Sequence, residues 1–361
     1  MILVRYFALV VTLTACGAME AQPRRVSSSI VSPCYGCSLR VDSVATVGGG
    51  EDPAAYFTRP AFNAALINDR LLIGATTPVQ IFTLKGEFGG VLGRSGQGPG
   101  EFPSWITGIA SGPNRSLHVF VGPQVVIFDS TLQFERKVTL AHGSLRPVVL
   151  SDGSYAGLAR MPPTRGGGPP TAGDYKKVVD GPLFELFSRD GKYIRSVGAT
   201  LSLADEIIAA GSGATVWTGK RAPYELKQWS QDGTLLRVFE RITPAFDSSP
   251  YIGPWPYVPG RGPRARLLDV RQDSDGRLWT AFSVRKGGAD LSVLTDSAVK
   301  QCCETVIEVL DPQTGTLLGT TRIAHHVFRL LDRGYIVAGA SGENGEPLAI
   351  IFVGRLTVPK S

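Results

Sequence analysis

Asp-Gly stands between two short apolar runs at four places, Asp152-Gly153, Asp190-Gly191, Asp232-Gly233 and Asp275-Gly276. The pairs fall in phase with a longer pattern, and that phase constrains the fold more than any other feature. The repeating unit is an apolar strand, a tight turn, a second strand, a polar loop, a third strand, a second tight turn and a fourth strand. A strand pattern recurring every few tens of residues marks a repeat architecture. Six units can be written along the chain. They begin near Ala61, Ile106, Pro147, Glu206, Leu268 and Val327. Asp152-Gly153 and Asp275-Gly276 join first to second strands, and Asp190-Gly191 and Asp232-Gly233 join third to fourth. Pro312 to Gly315 takes that last place in the fifth unit. Asp-Gly predicts two-residue hairpin turns with both central residues at positive φ.

Between the first and second units lies GRSGQGPGEFPSWITGIAS, Gly93 to Ser111. Gly96, Gly98 and Gly100 permit positive φ, and Pro99 fixes its own. A chain that leaves the outer edge of one sheet for the centre of the next needs such a loop. The run resembles the G-x-G-P-G-x-F loop that precedes the innermost strand of a blade in NHL-type β-propellers. The resemblance implies an all-β, six-bladed β-propeller of four-stranded antiparallel blades, with Phe102 wedged between blades. The sixth unit shows three strands and little chain remains. Arg40 to Val47 can return as its outer strand, closing the ring and covering an open sheet edge. High glycine (43) and proline (25) counts suit so many turns, and only 19% of residues are charged.

The N-terminus reads as an export signal over residues 1–15: Arg5 is its positive start and Tyr6 to Ala15 its apolar core, too short to span a bilayer. Leu13-Thr14-Ala15-Cys16 resembles a bacterial lipobox. That resemblance implies cleavage before Cys16 and acylation of its sulfur and new amino terminus; several acyl chains anchor stably where one is marginal. Residues 16–38 would then be a lipidated tether and residues 39–361 the propeller. The expected location is the bacterial cell envelope, exported and bound to the membrane through lipid.

In a propeller the connections between blades and those between second and third strands share one face, called upper here. Three long segments belong to it: Met161 to Pro182, Thr243 to Arg266, and Arg285 to Cys303. Long loops on a rigid scaffold are where binding resides. Arg165, Lys220, Arg221, Arg261, Arg264, Arg266 and Arg285 map there, with Trp255 and Tyr257 among the prolines. A cationic rim with aromatic platforms suits an acidic ligand, a glycan or an acidic partner protein. The net charge of +6 comes without a dense basic tract, so nucleic acid is not expected. The chain is expected to be a monomer.

Four cysteines follow Cys16: Cys34, Cys37, Cys302 and Cys303. Exported thiols oxidise. The two pairs approach from opposite ends of strands roughly 20 Å long, which favours two local disulfides over one shared zinc site. Neither a nucleophile elbow nor a P-loop nor HExxH is present, and no cofactor is expected. The alternative is a metal-dependent hydrolase, lactonase or lyase, as in related six-bladed propellers. Glu206, Asp269 and His326, beside Asp205 and His325, would then hold a divalent ion from the starts of inner strands. The first three units offer Phe62, Asn63, Trp105 and Arg146 at comparable places, which departs from the acidic rings of those families. The binding module is therefore the leading expectation.

Overall fold

The computed structural model describes residues 23–28, 34–50, 52–58, 63–74, 77–159, 182–198, 206–220, 224–243, 246, 265–286 and 303–359. Among them every long element is a β-strand. Two strands precede the first sheet, β1 (Arg24–Ser28) and β2 (Ser38–Val47). The first blade is β3 (Ala64–Ile67), β4 (Arg70–Ile73), β5 (Val79–Thr83) and β6 (Phe88–Leu92). The second is β7 (Gly108–Ser111), β8 (Leu117–Val121), β9 (Gln124–Phe128) and β10 (Phe134–Thr139). The third is β11 (Leu145–Val149), β12 (Tyr155–Leu158), β13 (Phe184–Phe187) and β14 (Tyr193–Val197). The fourth is β15 (Glu206–Ala210), β16 (Val216–Lys220), β17 (Glu225–Trp229) and β18 (Leu235–Arg241). The fifth is β19 (Arg266–Gln272), β20 (Leu278–Arg285), β21 (Cys303–Leu310) and β22 (Leu317–Ile323). The last is β23 (His326–Leu330), β24 (Tyr335–Ser341) and β25 (Pro347–Thr357).

Each blade is an antiparallel meander. In the last one β2 supplies the fourth strand, antiparallel to β25, with Ser38 opposite Thr357 and Val47 opposite Ala349. The ring is thus closed by the chain's own start, as the short sixth unit implies. The protein is a six-bladed β-propeller. Its apolar interior is six wedges rather than one core, each shared by neighbouring blades. Val79, Phe102, Ile109 and Phe128 fill the wedge between the first two blades, for example.

One wedge holds a chain of paired polar groups, as burial demands. Between blades two and three, His118 is buried. The Tyr155 hydroxyl lies 3.3 Å from its Nδ1 and Ser116 Oγ lies 3.0 Å from its Nε2. The Ser116 hydroxyl donates onward to the Pro113 carbonyl. Tyr155 then donates to a neutral ring whose Nε2–H donates to Ser116. Burial, with repulsion from Arg136, lowers the His118 pKa to about 4.

Two details differ from the sequence-based expectations. The Asp-Gly turns have three-residue loops, not two. The Ser188 N–H donates to Lys192 O and the Gly191 N–H to Ser188 O. The same pair of bonds recurs around Gly153, Gly233 and Gly276. Only the glycine takes positive φ, +81° at Gly191; the aspartates do not. This is a type I turn closed by a left-handed glycine. Asp keeps its value there because its side chain accepts from the backbone two residues on, as Asp152 does from the Ser154 N–H at 3.0 Å.

In the first inter-blade loop, Gly93, Gly96 and Gly100 adopt positive φ and Gly98 does not. Gly93 is the position that requires glycine: at φ +70° a Cβ would also run into the Phe102 ring. Phe102 is fully buried, as expected. The loop is tied by Glu101, which accepts from the Gly98 N–H at 2.7 Å and from Arg94 at 2.6 Å.

The run 16–38, read from its polarity as a tether, contains structure. Strand β1 pairs parallel with β18 as a fifth strand on the fourth blade. Cys34 and Cys37 are disulfide-bonded, and the Cys34 N–H donates to Leu317 O of the fifth blade. Strand β2 then covers the sixth. The described parts of the N-terminal run therefore touch the outer edges of three consecutive blades. Cys303 is disulfide-bonded too; Cys302, the neighbour expected to hold it, lies outside the described residues.

Candidate functional site

The first strand of each blade starts at the upper face and runs down the central channel. Together β3, β7, β11, β15, β19 and β23 enclose a cavity of about 80 Å³. Ala64, Ala110, Val149 and Ile208 are among its walls. The charged lining residues are Asp269, Arg271, Arg329 and Asp332. At the lower end Arg271 donates to Asp332 at 3.1 Å.

Charge is arranged differently toward the upper mouth. Three inner strands break register with their partners: β11 between Leu145 and Val148, β19 between Leu267 and Asp269, and β23 between Val327 and Arg329. The inner strands of the other three blades pair regularly. A bulge adds a residue to one strand and changes where the neighbouring side chains point. These bulges lie beside Arg146, Asp269 and Arg329. Arg146 itself has φ +49°, uncommon for a residue with a Cβ. Asp269 is buried, accepts from the Leu330 N–H at 2.7 Å and lies 3.4 Å from Arg329 Nη1. Arg146 is exposed, yet the protein around it limits its hydration. That enclosure, with repulsion from Arg266 and Arg329 against the pull of Asp269, lowers its pKa to about 10. His326, also open to the mouth, is held neutral with a pKa of about 4 by enclosure and by Arg266. Its ring packs against Phe328.

Of the expected rim residues, Lys220 ends β16, Arg285 ends β20 and Arg266 opens β19. All three strand ends are at the upper face, and Lys220 and Arg285 are exposed. Arg165, Arg221, Trp255, Tyr257, Arg261 and Arg264 lie outside the described residues. Trp105, not among the expected rim residues, precedes β7 on the same face and is 72% exposed. Exposure of so large an aromatic is the signal, and it exists only in three dimensions.

The expected metal ligands Glu206, Asp269 and His326 come from three successive inner strands, β15, β19 and β23. Glu206 and His326 open their strands, but Asp269 sits inside β19 rather than at its start and is engaged by Leu330 and Arg329. His325 faces Phe352 instead. Among the described residues no three His, Cys, Asp or Glu side chains are placed to hold a metal ion.

No family model matches the chain, and no curated protein matches it in sequence. Solved structures do. A member of the DUF4221 family from Bacteroides vulgatus superposes with TM-score 0.54 at 11% identity, covering 89% of this chain and 99% of its own. A protein named as exported from Bacteroides fragilis gives 0.50 at 11% identity, over 94% and 99%. Virginiamycin B lyase from Staphylococcus aureus gives 0.43 at 10% identity, over 90% and 100%. At such identities the likeness is one of fold.

Proposed function

We propose that the chain is an exported, lipid-anchored propeller that acts as a binding module rather than an enzyme, taking an acidic glycan or acidic protein on its upper face. The observation that carries this reading is the gathering of Lys220, Arg266, Arg285 and Lys286, from neighbouring blades, on the face where the long segments begin and end. Trp105 adds an exposed aromatic surface to that face. Positive potential there would steer acidic partners in a salt-dependent way. Export is supported by the N-terminal apolar run and by the exported relative in fold.

The test is the triple variant Lys220→Ser, Arg285→Ser and Lys286→Ser. Exposed positions like these change stability by about 0.5 kcal/mol or less each. Binding to a panel of acidic polysaccharides and acidic proteins weakens, and its dependence on salt flattens. A variant that binds the whole panel as the parent does would make this face an ordinary solvated rim.

The anchor has its own expected result. Cys16→Ser moves the protein from the membrane fraction to the soluble exported fraction. A parent protein that is already soluble, with its N-terminus beyond Ala18, contradicts the anchor.

A further inference from the structure

We propose that the protein, resting on the lipid anchor at Cys16, stands on the bilayer with its lower face down and with Tyr35 in the layer of lipid headgroups. The direction of one strand carries this. In each blade the fourth strand rises from the lower face to the upper, so β18 begins below at Leu235 and ends above at Arg241. Strand β1 runs parallel to it, with Arg24 opposite Arg237 and Ser28 opposite Arg241. The chain therefore joins blade four at its lower end. A fifth strand laid antiparallel would join it from above. Val26 holds the strand in place, buried in the wedge between blades four and five, and Arg25 donates to Glu240 at 2.9 Å. Cys16 stands eight residues before Arg24, so acyl chains on it are held within about 30 Å of that lower end.

An apolar projection lies next to that entry. Cys34 and Cys37 are disulfide-bonded, and the Cys34 N–H donates to Leu317 O at 3.1 Å, at the lower start of β22. The loop they close holds Tyr35 outward, 98% exposed. Gly36 beside it lies against the chain that follows β25: a Cβ there would stand 3.0 Å from Pro359 Cγ. Val358 and Pro359 are exposed as well. Tyr35, Val358 and Pro359 thus project together from the lower ends of blades five and six, next to the blade that β1 joins. At a bilayer surface a tyrosine ring buries its apolar body while its hydroxyl stays wet, and such rings collect at the level of the headgroups. Arg24 and Arg355 are exposed near the same ends, and basic side chains there are drawn to anionic lipid. Trp105, the exposed aromatic of the upper face, precedes blade two on the far side of the ring.

The lower face is also where turns tie neighbouring blades together. Gln231 of blade four donates to Asp152 of blade three at 2.7 Å, and Arg237 donates to Pro312 O of blade five at 2.8 Å. Arg333 of the last blade donates to Asp69 of the first at 3.0 Å. A face cross-linked in this way makes a firm base. Set on the membrane, it turns the upper face and its long segments outward, where a partner can approach without meeting lipid.

Quenching of a fluorophore by headgroup-labelled lipid reads the orientation. The mature, acylated protein is placed in vesicles of phosphatidylethanolamine with phosphatidylglycerol that carry the quencher. One label at a time sits on Thr234→Cys or Ser274→Cys, in exposed lower turns, or on Lys220→Cys at the upper face. The lower labels are quenched several-fold more than the upper one, and the upper one stays open to iodide in the water. Tyr35→Ser combined with Val358→Ser leaves the protein on the vesicles and its melting temperature unchanged, since both positions are exposed, but cuts the contrast between the faces by at least half. The orientation is overturned, with the anchor left in place, if an acylated and vesicle-bound parent has its Lys220→Cys label quenched as strongly as the lower ones; that is the result of a cationic rim seated on anionic lipid. It is overturned too if the double serine variant keeps the full contrast. A parent that lacks the acyl mass and stays off the vesicles overturns the anchor, and the orientation with it.

Discussion

Deleting Ser38–Val47 abolishes cooperative unfolding. The strand lies on the outer edge of the last blade while the chain that follows it enters the first, so it holds the two ends of the ring together. Its loss removes Val47 from the wedge shared by these two blades, with Ala45 packed on the same cluster. It also removes Leu39 and Val41, which pack between blades five and six. At about 1.5–3 kcal/mol for a large apolar side chain that becomes fully exposed, the loss is on the order of 5 kcal/mol. A whole domain is stable by about 5–15 kcal/mol. The deletion further bares the long edge of β25, a template for aggregation. The expected readout is a broad, sloping melt with light scattering at low temperature. Deleting Arg24–Ser28 is the control: that strand is a fifth on an already complete blade, and its removal leaves a sharp transition. A sharp, unshifted melt after loss of Ser38–Val47 would mean that the ring is closed by something else.

Glu308→Gln destabilises the protein by about 3–5 kcal/mol. Glu308 on β21 and Arg241 at the end of β18 form an ion pair between blades four and five, with side chains only 5% and 4% exposed. The contact is two-pronged, Nη2 to Oε1 at 3.0 Å and Nε to Oε2 at 3.3 Å. Beside it Tyr224 is buried, donates to Thr280 Oγ1 and has its pKa raised well above the usual value by burial and by Glu308. Neutralising Glu308 takes a full negative charge from beside an enclosed guanidinium, which is where the cost arises. The double replacement Arg241→Met with Glu308→Leu removes both charges and recovers most of the loss. Chemical denaturation of the single and double variants measures both effects. A single variant within about 1 kcal/mol of the parent would mean that water reaches the pair, since exposed pairs contribute no more than that.

Neither the pair nor the channel cluster is legible along the chain. Arg241 and Glu308 read as ordinary strand residues, and the wedge that buries them exists only once blades four and five pack. Arg146 stands out in the sequence chiefly as a basic residue where related propellers carry acids. Its neighbours in space, Arg266 and Arg329, come from other blades. The place of Asp269 is hidden for a related reason: a bulge puts it inside β19, against the Leu330 amide, and a register shift of that kind leaves no mark on residue type.

The hairpins show where local information suffices and where it stops. Asp-Gly located each turn because glycine alone takes left-handed φ freely and Asp bonds its own backbone. It did not distinguish a two-residue loop from a three-residue one, since both accept the same dipeptide. Four strands to a blade, blade count and the need for a returning N-terminal strand were determined by the sequence itself, because turn chemistry and apolar runs are properties of adjacent residues. The fifth strand on blade four, the buried ion pair and the exposure of Trp105 were decided by the tertiary structure. Each depends on which distant segments the closed ring brings within a few ångströms, and on how much water it leaves between them.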